Sequence, residues 1–131
     1  MTEKKITYAW NRISACKENG FLMEALLKNY HLNLDIIRYV LSTYVSGYSF
    51  RDKKIREIVN DVIEETSVNP KLKSILNKKN LKVLKPWLFK MDTFFKALKH
   101  GRPVNTKALQ QETEKIFALL NISVNKLFAQ K

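Results

Sequence analysis

Residues that interrupt helices are scarce in this sequence, which has only three glycines and three prolines in 131 residues. A β-sandwich or β-barrel needs many tight turns, and turns depend on these two residue types. Most of the chain instead carries apolar residues at intervals of three and four, the spacing of one helix face. The sequence therefore predicts an all-α fold.

Long apolar runs and paired cysteines are also missing. The chain has no stretch of about 18 apolar residues, so no membrane span is expected. The first ten residues, MTEKKITYAW, contain no continuous apolar segment, so we expect no secretory signal. The single Cys16 cannot form an internal disulfide, which fits a reducing compartment. These absences predict a cytoplasmic protein without contact to membranes.

Motifs for metal or cofactor chemistry are missing as well. Two histidines and one cysteine stand far apart in the sequence, and no carboxylate pair lies in an apolar setting. The GxSxG, GxGxxG and GxxxxGK[ST] patterns do not occur, so hydrolase, dinucleotide-binding and P-loop functions have no support. We expect neither a metal nor a cofactor.

What the chain does contain is enough apolar surface for one core. Hydrophobic residues make up 45% of it, and its length fits a single domain spanning residues 1–131. Each helical segment has one apolar face that it cannot bury alone. The prediction is an antiparallel bundle of four long helices plus one short helix. The apolar spacing marks helical segments at about 2–19, 21–45, 50–65, 85–100 and 105–128 and a short one near 70–76, which is one long segment more than this bundle contains.

Residues at the predicted helix ends support these bounds. Gly20 and Gly101 suit the left-handed position that closes a helix. Asn69 followed by Pro70 is a typical helix start, and Asn105 or Thr106 would cap the last helix. Ser49, with Asp52 three residues on, predicts the start of the third helix.

Positive charge is concentrated in one part of the sequence. The net charge is +12, and residues 67–102 carry ten lysines and arginines against Asp92 alone. Such a local excess attracts polyanions, although a lysine-rich solvated surface without a partner has the same composition. Lysine binds backbone phosphate without reading bases. We predict nucleic-acid-binding lysines at positions drawn from this segment: Lys73, Lys78, Lys79, Lys82, Lys85, Lys90 and Lys99.

His100 stands at the end of the predicted helix 85–100. Lys96 lies one turn earlier on the same face, and Arg102 follows Gly101. An imidazole can transfer a proton near neutral pH, and cations can stabilise charge on a phosphorane. Lys96, His100 and Arg102 are therefore candidate catalytic residues. A polar residue placed at a helix C-terminus by the helix dipole gives the same pattern.

The layout of the chain resembles that of HEPN domains. The run RISACKENGFLMEALLKNYHLNLDIIRYVL and the later FFKALKHGRPVNTKAL are similar to the family's long helix and to the helix that ends in its histidine motif. The resemblance covers about residues 6–128. It implies a helical bundle that dimerises. Many members are metal-independent RNases in defence or toxin–antitoxin systems, and others bind RNA, nucleotides or proteins without catalysis.

The family motif places an arginine five residues before the histidine, where this sequence has Phe95. Three functions remain open at this point. The first is a HEPN-like protein that binds RNA, rather than DNA, through the basic segment, with weak or no catalysis. The second is an RNase with a remodelled site at Lys96, His100 and Arg102. The third is a small basic subunit of a nucleic-acid-binding complex, similar to those of CRISPR effectors. A homodimer is expected for the first two.

Overall fold

A computed structural model describes residues 1–130, except for the side chain of Lys78. Over these residues the secondary structure is helical, without a strand, which confirms the all-α prediction. The elements are α1 (Glu3–Glu18), α2 (Leu22–Tyr44), α3 (Ile55–Val68), α4 (Pro70–Ile75), α5 (Lys78–Leu81), α6 (Leu84–Lys99) and α7 (Thr106–Ala129). None of the helices described is both long and apolar enough to cross a bilayer.

Several helix ends form as the sequence predicts. The Asn69 side chain accepts hydrogen bonds from the backbone N–H groups of Lys71 and Leu72 at the start of α4. Asn105 Oδ1 accepts from the backbone N–H of Ala108 at the start of α7. Gly101 closes α6 with a φ of +65°, a conformation that costs residues with a side chain more than glycine. These caps fix where α4, α6 and α7 begin or end.

The predicted start of the third helix at Ser49 is wrong. Helix α3 begins at Ile55, and Lys54 takes the N-cap position. Asp52 has a φ of +62°, which a helix cannot include. The Tyr48 hydroxyl and the Lys53 ammonium instead donate to Asp61 Oδ2, at 2.8 and 2.6 Å. These contacts hold the connection 45–54 against the side of α3.

The single turn α5 is not among the helices that the apolar spacing predicts. The finer expectation of four long helices plus one short helix is not confirmed. The described chain has five helices of 14 to 24 residues. Their directions are mixed. Asn33 meets Thr113 and Tyr44 meets Gln130, so α2 and α7 run the same way.

The core is built around α2, which packs against both α1 and α7. Trp10 of α1 stacks on Phe117 of α7, with ring centroids 4.1 Å apart. Leu26, Ile36 and Leu41 of α2 are completely buried. Burying a side chain of this size contributes about 1.5–3 kcal/mol. The apolar face of α2 therefore holds the outer helices together.

A buried polar cluster fixes α6 against this core. Trp87 Nε1 donates to Thr113 Oγ1 at 3.0 Å, and Asn33 Nδ2 donates to the Thr113 carbonyl at 3.2 Å. Leaving a buried donor without a partner costs about 1–3 kcal/mol, so these bonds favour a single arrangement of the three helices. Trp87 thereby sets which face of α6 points outward.

Helix α3 packs along the outward side of α6 in the opposite direction. Arg56 Nη2 of α3 donates to Asp92 Oδ2 of α6 at 3.0 Å. Ile63, seven residues later in α3, lies beside Lys85, seven residues earlier than Asp92. The two helices therefore form the opposite walls of a surface groove.

Candidate nucleic-acid interface

The groove between α3 and α6 consists of two adjoining depressions that share Lys85. The first has a volume of about 300 Å³ and the second about 310 Å³. The first is lined by Ile63, Thr66, Ser67, Lys73, Leu81, Lys82 and Lys85, and the second by Arg56, Val59, Asn60, Lys85, Leu88 and Phe89. We call this continuous surface the basic groove. From Arg56 to Ser67 it follows α3 for about 16 Å, at 1.5 Å per residue.

Three predicted lysines meet in this groove although they belong to different elements. Lys73 lies on α4, Lys82 follows α5, and Lys85 is in the first turn of α6. Leu72, Leu81 and Leu84, each next to one of these lysines in the sequence, are buried. These buried leucines anchor their segments to the core. The lysines beside them therefore point outward, and all three are exposed.

The charges of these three lysines are not neutralised within the described chain. None of their ammonium groups forms an ion pair or a hydrogen bond with a described residue. Arg56 adds a fourth cation, and 67% of its side chain stays exposed although it pairs with Asp92. Glu57 and Glu64 lie on α3 outside the lining residues of the groove. The groove is therefore a local excess of positive charge.

The other predicted lysines lie outside the basic groove. Lys90 faces α7 and pairs with Glu112 at 2.9 Å. Lys79 is exposed on α5 but lines neither depression, and Lys99 lies at the far end of α6. The side chain of Lys78 lies outside the described residues. Of the seven lysines predicted from the sequence, the structure brings Lys73, Lys82 and Lys85 together.

His100, Lys96 and Arg102 form a second basic region, which we call the α6 terminal turn. His100 is the C-cap of α6, and all three side chains are exposed. The Arg102 backbone N–H donates to the Ala97 carbonyl at 2.8 Å, which folds the chain back over the last turn. No described residue forms a hydrogen bond or an ion pair with any of the three side chains. They are close in sequence and share one helix end.

The α6 terminal turn is separate from the basic groove. From Lys85 to His100 the helix rises by about 22 Å, at 1.5 Å per residue. Lys85, Phe89, Asp92 and Lys96 nevertheless repeat at intervals of three and four, so they share one face of α6. The imidazole therefore lies on the outward side of α6 but not at the border of the three-lysine cluster.

Sequence reasoning missed Arg56, Asn60 and Phe89. Arg56 and Asn60 belong to a helix whose formal charge is negative, so charge counting along the chain passed over them. The sequence did contain a signal for Phe89. This residue stands outside the set of apolar residues that repeat along α6, and 66% of it is exposed.

Tyr30 of α2 lies in the core beneath α6, with its ring centroid 5.7 Å from that of Trp87 and 5.3 Å from that of Phe95. Burial raises the pKa of Tyr30 to about 12, with a further increase from the nearby Asp92 charge and a smaller opposing effect of Arg38. The Tyr30 phenol therefore stays neutral near pH 7. The residues that the structure describes contain no cluster of three or more side chains able to hold a metal ion.

Comparisons of the chain with protein-family models, with curated proteins and with solved structures found no match.

Proposed function

We propose that this protein binds RNA through the basic groove, as a HEPN-like helical protein with weak or no catalytic activity. The proposal rests on Lys73, Lys82 and Lys85, which line one groove. Among the described residues, no carboxylate neutralises their charges. Ammonium groups around one groove can contact the phosphates of a strand lying in it, and each contact releases counterions from the nucleic acid. The net charge of +12 would speed the encounter with a polyanion.

The choice of RNA over DNA, and of a prokaryotic defence or toxin–antitoxin context, rests on the resemblance to HEPN domains. The proposal of weak or absent catalysis rests on Phe95, which stands where that family has an arginine. Phe95 is half-buried and its ring lies 5.3 Å from the ring of Tyr30. A cation at this position would lose its hydration against aromatic carbon, so the packing around it suits the phenylalanine.

A metal-independent RNase is the second candidate, because Lys96, His100 and Arg102 are exposed at one helix end without competing partners in the described chain. RNA that follows the outward face of α6 could reach His100. Cleavage of labelled RNA in EDTA, lost in His100→Ala and kept in His31→Ala, would establish this activity. We expect no cleavage by the native protein.

We further propose that the protein is cytoplasmic and forms a homodimer. Two apolar side chains exposed on or beside α6, away from Phe89, are candidates for the contact: Val83 and Leu98. Sedimentation at high micromolar concentration tests the dimer, and a monomer there would contradict it.

The test of RNA binding is fluorescence anisotropy with a labelled single-stranded RNA at low salt. Replacing Lys73, Lys82 and Lys85 by glutamate should weaken binding at least a hundredfold, since three attractive contacts become repulsive. Replacing Lys4, Lys5 and Lys126 by glutamate changes the net charge equally, away from the groove, and should weaken binding less than threefold.

The pair Lys78→Glu and Lys82→Glu should likewise weaken binding more than Lys4→Glu with Lys126→Glu. Equal losses in the matched variants would show that net charge alone binds RNA and that the groove is not the site. Absence of RNA binding by the native protein at low salt would reject the proposed function.

A further inference from the structure

Phe89 is an exposed aromatic ring inside the basic groove. It lies in the first half of α6, and its neighbours in the second depression include Lys85 on its own helix and Arg56 and Asn60 across the groove on α3. With 66% of the residue accessible, the ring is left largely uncovered by the described chain. The ring is thus open to a ligand and shares its depression with two cationic side chains, Lys85 and Arg56.

The polar neighbours of Phe89 are also available. Arg56 uses Nη2 to bind Asp92, and this contact holds the guanidinium at the rim while its other N–H donors remain free within the described chain. Asn60 is half-buried and its side-chain amide has no hydrogen-bond partner among the described residues. The amide can therefore donate one hydrogen bond and accept another.

We propose that Phe89 stacks on an unpaired base of single-stranded RNA, with Arg56 and Lys85 contacting the flanking phosphates and Asn60 facing the base edge. This inference rests on the proposed RNA-binding function and adds the form of the ligand. Bases in a duplex are stacked on each other and offer no free face, so the site selects single strands over duplexes. Lys82 and Lys73 continue the phosphate path along the groove.

The size of the groove fits this ligand. About 16 Å along α3 corresponds to roughly five nucleotides at a stacked spacing of 3.4 Å, and to fewer in an extended strand. The second depression, at about 310 Å³, is within the lower range of pockets that hold small organic ligands, about 300–1,000 Å³. A single base can enter it while the phosphates remain at the rim.

The test compares single-stranded RNA with inorganic polyphosphate, which carries charge but no base. Phe89→Ala should weaken RNA binding about 5- to 150-fold, the range for one lost base–aromatic stack, and leave polyphosphate binding unchanged. Phe89→Trp should retain RNA binding because the indole also stacks. Lys85→Glu should weaken the binding of both ligands.

Tyr8→Ala is the matched control, because Tyr8 is also 66% exposed and has Arg12 over its ring at 5.8 Å, outside the groove. It should change RNA affinity less than twofold. Phe89 is largely exposed, so its replacement should leave folding intact, which thermal unfolding can check.

Three results would overturn the inference. Phe89→Ala could affect RNA no more than Tyr8→Ala does, or it could weaken RNA and polyphosphate equally. It could also abolish a homodimer in sedimentation while RNA affinity stays constant, which would assign the ring to a second copy of the chain. If RNA binding is lost in the lysine variants alone, the stacking site fails and the proposed function stands. If the native protein binds neither ligand, both fail.

Discussion

The two ends of α6 are both basic but are built differently. At the N-terminal end, Lys85 meets Lys82, Lys73 and α3 across a groove with an aliphatic floor. At the C-terminal end, Lys96, His100 and Arg102 surround a single turn of helix. The first region depends on tertiary packing, and the second on neighbours in sequence. We infer that clustered charge is better suited to hold a ligand where separate elements converge on a concave site.

Reversing one charge at each end of α6 should give the largest difference in RNA affinity between the two basic regions. Lys85→Glu should weaken binding of single-stranded RNA about tenfold, because an attraction of about 0.7 kcal/mol is replaced by a repulsion of about the same size. Lys99→Glu makes the same change of charge at the other end and should weaken binding less than twofold. Anisotropy titrations at one fixed salt concentration measure both. A larger effect of Lys99→Glu would move the RNA site to the α6 terminal turn.

The next largest effect is expected on stability, from the backbone of the α6 terminal turn. Gly101→Ala should lower the free energy of unfolding by about 1 kcal/mol, because alanine is strained at a φ of +65°. Open space around the position means that the cost comes from the backbone and not from a clash. Denaturant unfolding measures the loss. RNA affinity should stay within twofold, and a large loss of affinity would show that the turn contacts RNA.

The contact between α3 and the connection 45–54 gives a smaller, pH-dependent effect on stability. Burial opposes ionisation of Asp61, but hydrogen bonds from Lys53 and Tyr48 outweigh it and hold the pKa of this carboxyl below the ordinary 3.8. A lowered pKa stabilises the fold above about pH 4, and this contribution is lost as the pH falls through the folded-state value.

Asp61→Asn should therefore lower the free energy of unfolding by about 0.5–1 kcal/mol near pH 7, as both partners are partly exposed. The difference from the native protein should shrink below pH 3.8. Thermal unfolding at several pH values measures it. A difference that is constant from pH 7 to pH 3 would contradict the role of the charged carboxylate.

The smallest expected effect separates two lysines on the same helix. Lys85→Ala should weaken RNA binding about twofold to threefold, whereas Lys90→Ala should leave it unchanged, because Lys90 faces Glu112 and not the groove. Both changes remove one positive charge from α6. Equal effects of the two substitutions on affinity would mean that RNA does not distinguish the groove from the other face.

The parts of the fold that depend on interactions between residues close in sequence could be predicted, and those that depend on distant residues could not. The helices and the caps at Asn69, Asn105 and Gly101 depend on nearby residues, so their sequence patterns were sufficient. The start of α3 was missed because Asp61 holds the preceding connection from a distance. The connection 45–54 has ten residues and can extend about 33 Å. This reach lets α3 run in the same direction as α2.

The candidate site was predictable only in part for the same reason. The excess of lysines at 67–102 is visible in the sequence, but which lysines share a surface depends on how α4, α5 and α6 pack. Lys85 and Lys90 look equivalent in the sequence. In the fold Lys85 lines the groove, whereas Lys90 pairs with Glu112. Arg56 enters the site through tertiary contacts that no local pattern reveals, whereas the position of Phe89 outside the apolar repeat of α6 was a signal in the sequence.

If phosphates bind at the basic groove, RNA affinity must fall with salt concentration at a slope set by the number of phosphate contacts. For four contacts, from Arg56, Lys73, Lys82 and Lys85, the logarithm of the binding constant should fall with the logarithm of salt concentration at a slope of about −3. Replacing the three lysines by alanine should reduce the slope to about −1. A variant that keeps the native slope would contradict the account.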